Sequence, residues 1–300
     1  MSPEELANLS GWTPNARLCG WRNDGGHYQI GNAIASKFRM PNYADSGEPL
    51  LLYKAWHDVL GSEPAYVGQQ IGDCVSFGHA HANDLLQCIE ISAFGEASEY
   101  RETDTEFIYG ESRKVAHILS NQDGSYGAAA AKAMLDVGIV SREMLGNQGA
   151  YSGKRAKSWG LNGPPSEIEQ EANAFRLGSV SRITSWEQLV AAIWNGMPTT
   201  VCSNQGFTMT RDDQGFCIPH GQWGHCMFCA GLRFDRPGGL ICQSWGPNVP
   251  DGPTDLEQPS FSFWVDKEVL VRMLALGDSW ALSRAPEFVK RELPHYWRTW

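Results

Sequence analysis

Nowhere in the 300-residue chain is there a run of lysine or arginine, and the formal net charge is -10 with a pI near 5.3. A chain of that sign has no broad basic face for tracking phosphates, so nucleic acid is not expected as a partner. No stretch of about 18 apolar residues occurs, the length a membrane-crossing helix needs, and no membrane partner is expected either. The opening Met1-Ser-Pro-Glu-Glu5 is acidic and lacks an apolar core, so it does not read as a secretory signal. Internal repeats and low-complexity tracts are also missing. What remains is a chain 42% hydrophobic and 19% charged, enough to bury one large core or two smaller ones at the scale of a single-function enzyme.

Eight cysteines (Cys19, Cys74, Cys88, Cys202, Cys217, Cys226, Cys229, Cys242) without an export signal read as free thiols in a reducing compartment. Cys226-x-x-Cys229 has a zinc-like spacing, but it lies in Gly224-HCMFCAGLRF-Asp235, which reads as a buried strand. Residues three apart on a strand face opposite sides, so the two thiols diverge. Neither a metal nor another cofactor is expected.

Residues 1–60, rich in Gly, Pro, Asn and Trp, read as a wrapping segment ending in a short helix near Leu50 to Leu60. Residues 61–165 read as helical. Phe77, His81, Leu85, Cys88 and Ile91 sit at helical spacing behind Cys74, with Asp73 where an N-cap would stand. Further helices are expected at 104–118 and 126–137, the latter stopped by Gly138. Residues 166–300 read as β-rich. One helix, Ser185-WEQLVAAIWN-Gly196, opens on a Ser-x-x-Gln capping box, and strand-like runs follow at 198–203, 225–234, 239–246 and 260–266. The fold class is α+β, helical first and β second.

A cysteine in the first turn of a helix is a candidate nucleophile, because the unpaired N–H groups there favour thiolate. Gln69 and Gln70, just upstream of Cys74, are candidate oxyanion donors, Gln69 the favoured one, and Gly72 allows close backbone approach. Downstream, His225 follows Trp223-Gly224 at the head of a strand, and Gln243-Ser-Trp-Gly246 comes after it. His79 and His81 on the cysteine helix read as packing residues, His220 as a loop residue and Asp212-Asp213 as a solvated turn.

The blocks G-D-C-V-S-F at 72–77, G-H-C-M-F-C-A-G-L at 224–232 and Q-S-W-G at 243–246 together resemble the papain-like cysteine peptidases. Gly124-Ser125 ahead of Gly138-Ile139, and the helix running into Pro198-TT-Val201, match two further blocks of that family. The resemblance spans roughly residues 60–285. It implies a papain-like fold: a helical half carrying Cys74, a β-barrel-like half carrying His225, and a cleft between them for a polypeptide substrate. It implies Cys74 as nucleophile, His225 as base and Gln243 as the carboxamide that orients the imidazole under Trp245, with Gly124 and Ser125 binding substrate backbone. Two positions depart from the family. Its oxyanion Gln falls at position 68, where this chain has Gly68, and Gln243 replaces its Asn. Val75 and the tail block Ser262 to Ser283 resemble the bacterial and tailed-phage branch, so the expected location is cytoplasmic or virion-associated. No long charged helix precedes Cys74, so the usual inhibitory pro-segment is not expected. Two other readings stay open: a structural or binding protein on this scaffold, such as a virion component with Trp12, Trp21, Trp297 and Trp300 as anchors for neighbours, and a peptidoglycan amidase.

Overall fold

The computed structural model describes residues 18–23, 47–95, 99–285 and 292–298. Most of the expected wrapping segment, with Trp12 and Trp300, lies outside them. Strand β1 (Leu50–Leu51) leads into α1 (Lys54–Leu60), followed by α2 (Cys74–Ile89), α3 (Thr105–Val115), α4 (Gly127–Asp136), α5 (Gly153–Asn162) and α6 (Ser166–Ala172). The chain then alternates: β2 (Ser179–Arg182), α7 (Trp186–Trp194), β3 (Thr199–Arg211), β4 (Cys217–Arg233), β5 (Gly238–Cys242), β6 (Ser262–Asp266), α8 (Lys267–Leu274) and β7 (Ser279–Ser283). The antiparallel sheet has the order β2-β7-β3-β4-β5-β6, with β1 added to β4. The architecture is the α+β, papain-like one expected. Among the described residues no helix is long and apolar enough to cross a membrane.

Every residue of α2 is buried, which is how a helix behaves at the centre of a fold rather than on its surface. Gly78 makes this possible. A β-carbon there would lie 3.0 Å from the Cys226 sulfur and 3.3 Å from the Cys226 and Met227 carbonyl oxygens, so glycine favours this close seat of α2 on β4. The polar residues that α2 carries inward must find partners. Asn83 Nδ2 donates to Thr103 Oγ1 at 2.9 Å, and the Thr103 hydroxyl and amide donate to Asp84 Oδ1 at 2.6 and 2.9 Å. His79 and His81 are buried packing residues, His81 stacked on Tyr66 with ring centroids 3.4 Å apart.

Asp73 does not cap α2. Its carboxylate instead accepts from the Tyr151 hydroxyl at 2.9 Å, while its carbonyl accepts from Ser76 N. The Ser185 box is partly as expected: Ser185 Oγ accepts from Gln188 N, but Gln188 Oε1 reaches Thr184 N rather than Ser185. The β half is organised by β4, whose Ser203–His225 and Cys202–Cys226 pairs fix its register on β3. Cys226 faces the Cys202 sulfur, whereas Cys229 faces Gly231 O and Gly239. Trp21 and Trp297 are both buried in the chain's own core.

Candidate active site

Cys74 is the first residue of α2, and its sulfur lies 4.0 Å from the carbonyl oxygen of Gly224, the residue before His225. The close seat of α2 on β4 at Gly78 brings these two elements together. Trp245 leans over the His225 ring, centroids 4.6 Å apart at a tilt of 33°, and Trp223 backs Trp245 at 5.1 Å, so indoles wall the imidazole. Gln69 donates its amide N–H to Ser244 O, and its Oε1 accepts from Ser244 Oγ at 2.7 Å. That bond ties Gln69 to the Gln243-Ser-Trp-Gly loop. A β-carbon at position 68 would lie 3.1 Å from the Trp245 backbone and 3.2 Å from Gly246, a tight approach.

The cleft is filled by the chain itself. Gly20 N donates to the Cys74 sulfur at 3.3 Å. On one side Ser125 N donates to Gly20 O and Arg22 N to Ser125 O, both at 2.9 Å, in a parallel bridge; on the other, Trp21 N donates to Gly224 O at 2.9 Å. The Gln69 carboxamide donates from Nε2 to Leu18 O at 2.7 Å. Residues 18–22 therefore run through the cleft, Leu18 in a 3₁₀ turn and Trp21 in the parallel bridge, held by main-chain bonds from both halves. At Gly20 a β-carbon would come within 1.7 Å of Gly72 O, so no other residue fits. The inhibitory segment not expected from the sequence would fall mostly outside the described residues, but among those described, residues 18–22 already occupy the cleft.

One residue the sequence reading missed anchors this strand. Asp278, buried between α8 and β7, accepts from Trp21 Nε1 at 2.8 Å, Gly127 N at 2.7 Å, Ala128 N at 2.6 Å and Trp280 Nε1 at 2.8 Å. It closes the N-terminus of α4 and pins the cleft strand at once. Its only sequence signal is a lone carboxylate between Gly277 and the apolar strand Ser279-Trp-Ala-Leu-Ser283.

The expected residues are not all joined. Neither ring nitrogen of His225 has a hydrogen-bond partner, so no thiol–imidazole bond exists in this state. Gln243 turns its Nε2 to Asn248 O at 2.7 Å, and its Oε1 is buried without a partner. The expected contact between Gln243 and His225 is therefore not made, because the carboxamide is engaged by Asn248 O instead. Gln70 departs too: its Oε1 accepts from Gly153 N, which draws the carboxamide towards α5. Ser125 touches the cleft strand directly, and Gly124, at φ +102°, packs against Gly20 O.

Burial sets the electrostatics. It pushes the Cys74 thiol well up, reinforced by the neighbouring Cys226 thiol, and the N–H bonds from Cys226 and Gly20 offset only part of this. Burial also lowers His225 to about 3. Thiol and imidazole are both neutral near pH 7 here, the opposite of a working thiolate–imidazolium pair.

No protein-family model matches the sequence, and no curated protein matches it. Solved structures do. Xylellain, a cysteine protease from Xylella fastidiosa, aligns with a TM-score of 0.63 over 91% of this chain and 98% of its own, at 16% identity. Procathepsin B S9 from Trypanosoma congolense aligns at 0.58 over 91% and 88% of the two chains, with 9% identity. The ragweed pollen cysteine protease Amb a 11, in its proform, aligns at 0.56 over 94% and 77%, with 14% identity. The fold is that of papain-like cysteine proteases.

Proposed function

We propose that this chain is a cysteine peptidase held in a closed state by its own residues 18–22. The observation that carries the reading is the Gly20 N–H on the Cys74 sulfur, within a strand bonded on both sides to main chain. A cleft that grips extended backbone at Ser125, Gly224 and Gln69 is built to hold a polypeptide. The bound strand escapes attack because it offers the sulfur an N–H donor rather than a carbonyl carbon. The precursor forms named among the structural neighbours, Amb a 11 and procathepsin B, accord with a self-occupied cleft.

Once the strand leaves, water and substrate enter and the thiolate–imidazolium pair forms between Cys74 and His225. Cys74 attacks the scissile carbonyl, and the developing oxyanion takes the place of Leu18 O at the Gln69 amide. His225 then protonates the leaving amine and water hydrolyses the acyl-enzyme. A bacterial or tailed-phage lineage belongs to the same reading, through Val75 and the 262–283 block.

The unpartnered Gln243 Oε1 and His225 nitrogens favour one alternative, a binding protein on a disabled scaffold. Hydrolysis of unfolded protein substrates by the parent, Gly20→Ala and Gly20→Ala/Cys74→Ala chains separates the two. Activity in Gly20→Ala that vanishes with Cys74 supports the peptidase; equal background in all three supports the binding protein.

A further inference from the structure

At the far end of α2, away from the cleft, lies a second cavity of about 410 Å³ lined by Asn83, Gln87, Arg101, Ser141, Phe175 and Arg284 among others. Asn83 stands nine residues along the helix from Cys74, about 14 Å at the helical rise, so this is not the catalytic cleft. Its volume falls within the roughly 300–1,000 Å³ usual for small-ligand sites.

Its polar walls are specified and unfinished. The Thr103 hydroxyl gives its proton to Asp84 Oδ1, so Thr103 can only accept from Asn83; this fixes the Asn83 amide with Nδ2 on Thr103. Asn83 Oδ1 is then left as an acceptor, fully buried and without a partner. Gln87 is likewise committed, Nε2 to Arg101 O and Oε1 from Arg101 N. Ser141 Oγ, on a residue only 8% exposed, has no partner, and neither has Arg284 Nε. Arg101 is satisfied by Glu99 at 3.2 Å and Glu143 at 3.7 Å. Asp84 and Glu90 are within electrostatic reach of Arg284, but Asp84 is taken up by Thr103. Among the described residues, Arg284 Nε, Ser141 Oγ and Asn83 Oδ1 are thus without a hydrogen-bond partner on residues that line a space whose other walls include Ile139, Met144 and Phe175. Native proteins rarely leave such buried groups unanswered.

We propose that this cavity binds the carboxylate end of an apolar α-amino acid residue, free or at the C-terminus of a peptide. The carboxylate meets Arg284 and Ser141 Oγ, the α-nitrogen donates to Asn83 Oδ1, and the side chain packs on Met144, Ile139 and Phe175. An ammonium or an amide N–H serves equally as the donor, which is why both sources share one chemistry.

The test uses the full chain carrying Cys74→Ala, which removes the reactive thiol from the readout. Binding of leucine, N-acetyl-leucine, leucinamide and a pentapeptide ending in leucine is measured by calorimetry. Leucine is expected to bind, and leucinamide about ten- to a hundredfold more weakly, the scale of a lost charged hydrogen bond. Arg284→Gln weakens leucine similarly, and Ser141→Ala by a few-fold. Ser141→Ala removes no side-chain hydrogen bond of the fold, whereas Arg284→Gln removes the attraction to Glu90, so its folding is verified by urea titration; Ser141→Val, which fills the space, gives a second reading. Binding of N-acetyl-leucine and the pentapeptide as tight as leucine assigns the site to peptide C-termini; their failure beside bound leucine assigns it to the free amino acid. No heat from any carboxylate, or binding indifferent to Arg284→Gln and Ser141→Val, overturns the proposal.

Discussion

Gly20 and Cys74 meet through a single backbone N–H laid 3.3 Å from the cysteine sulfur. The contact holds because Gly20 has no side chain to collide with Gly72 O. Gly20→Ala should expel the strand. Mass-spectrometric labelling of Cys74 by iodoacetamide near pH 6 is expected to speed up at least tenfold, as an activated thiolate requires. The parent, its thiol raised by burial, should label appreciably only in alkali. Equal rates in the two proteins would rule out the cleft strand as the block.

Trp21 and Asp278 offer a gentler perturbation. Trp21→Phe deletes one bond to a carboxylate and should loosen only the strand, raising labelling a few-fold while urea midpoints shift by no more than about 1–2 kcal/mol equivalent. Asp278→Ala strands buried N–H groups of Gly127, Ala128 and Trp280 as well, and should cost about 3–5 kcal/mol of stability. If the two variants lose stability equally, Asp278 does not cap α4 as described.

The two glutamines should behave differently. In the Gly20→Ala background, Gln69→Ala is expected to lower kcat by about 10²–10³ with KM little changed. In the otherwise unaltered chain the same substitution should accelerate labelling, because it frees Leu18 O. Gln243→Ala should lower turnover by roughly ten- to a thousandfold if the amide swings from Asn248 to His225 in the open state. Unchanged kcat in Gln243→Ala would show that Trp245 alone orients the ring.

Acid stability gives an independent check on His81, whose pKa burial lowers to about 3 from 6.5. The unfolded chain takes up this proton below pH 6.5 and the folded one does not until about pH 3. The neutral ring thus contributes stability that is present above pH 6.5 and lost as pH falls towards 3. Other buried groups act in both directions; burial raises Asp84 to about 7 and so opposes the trend. A difference measurement isolates His81. His81→Phe should gain about 1.4 kcal/mol per pH unit on the parent between pH 6 and 4 in urea titrations. Parallel curves would mean that the ring is protonated in the fold.

That Cys74 opens a helix and that His225 lies in a long buried strand are both legible from spacing. That position 68 is a glycine is visible in the sequence, but its close backbone approach to Trp245 and Gly246 is not. The cleft strand left no pattern to read. Three of its bonds are main chain to main chain, and main chain is the same in every sequence; the side chains that add to them, Trp21 on Asp278 and Gln69 on Leu18 O, are far apart in sequence. Helix α5 was hidden because Gly153 and Gly160, poor helix formers, lie within it to admit Gln70 and Tyr109. Where the Gln243 amide points is a rotamer, which sequence does not encode locally.

The strand that covers Cys74 belongs to the same covalent chain, and this sets the molecularity of the block. Its concentration at the cleft is on the order of millimolar whatever the amount of protein in solution, as for any tethered ligand. Dilution therefore cannot unmask the thiol, and a free peptide copying residues 18–22 competes poorly against the resident one. Release is a first-order event, with a rate set by this chain's own opening and unchanged across any range of protein concentration.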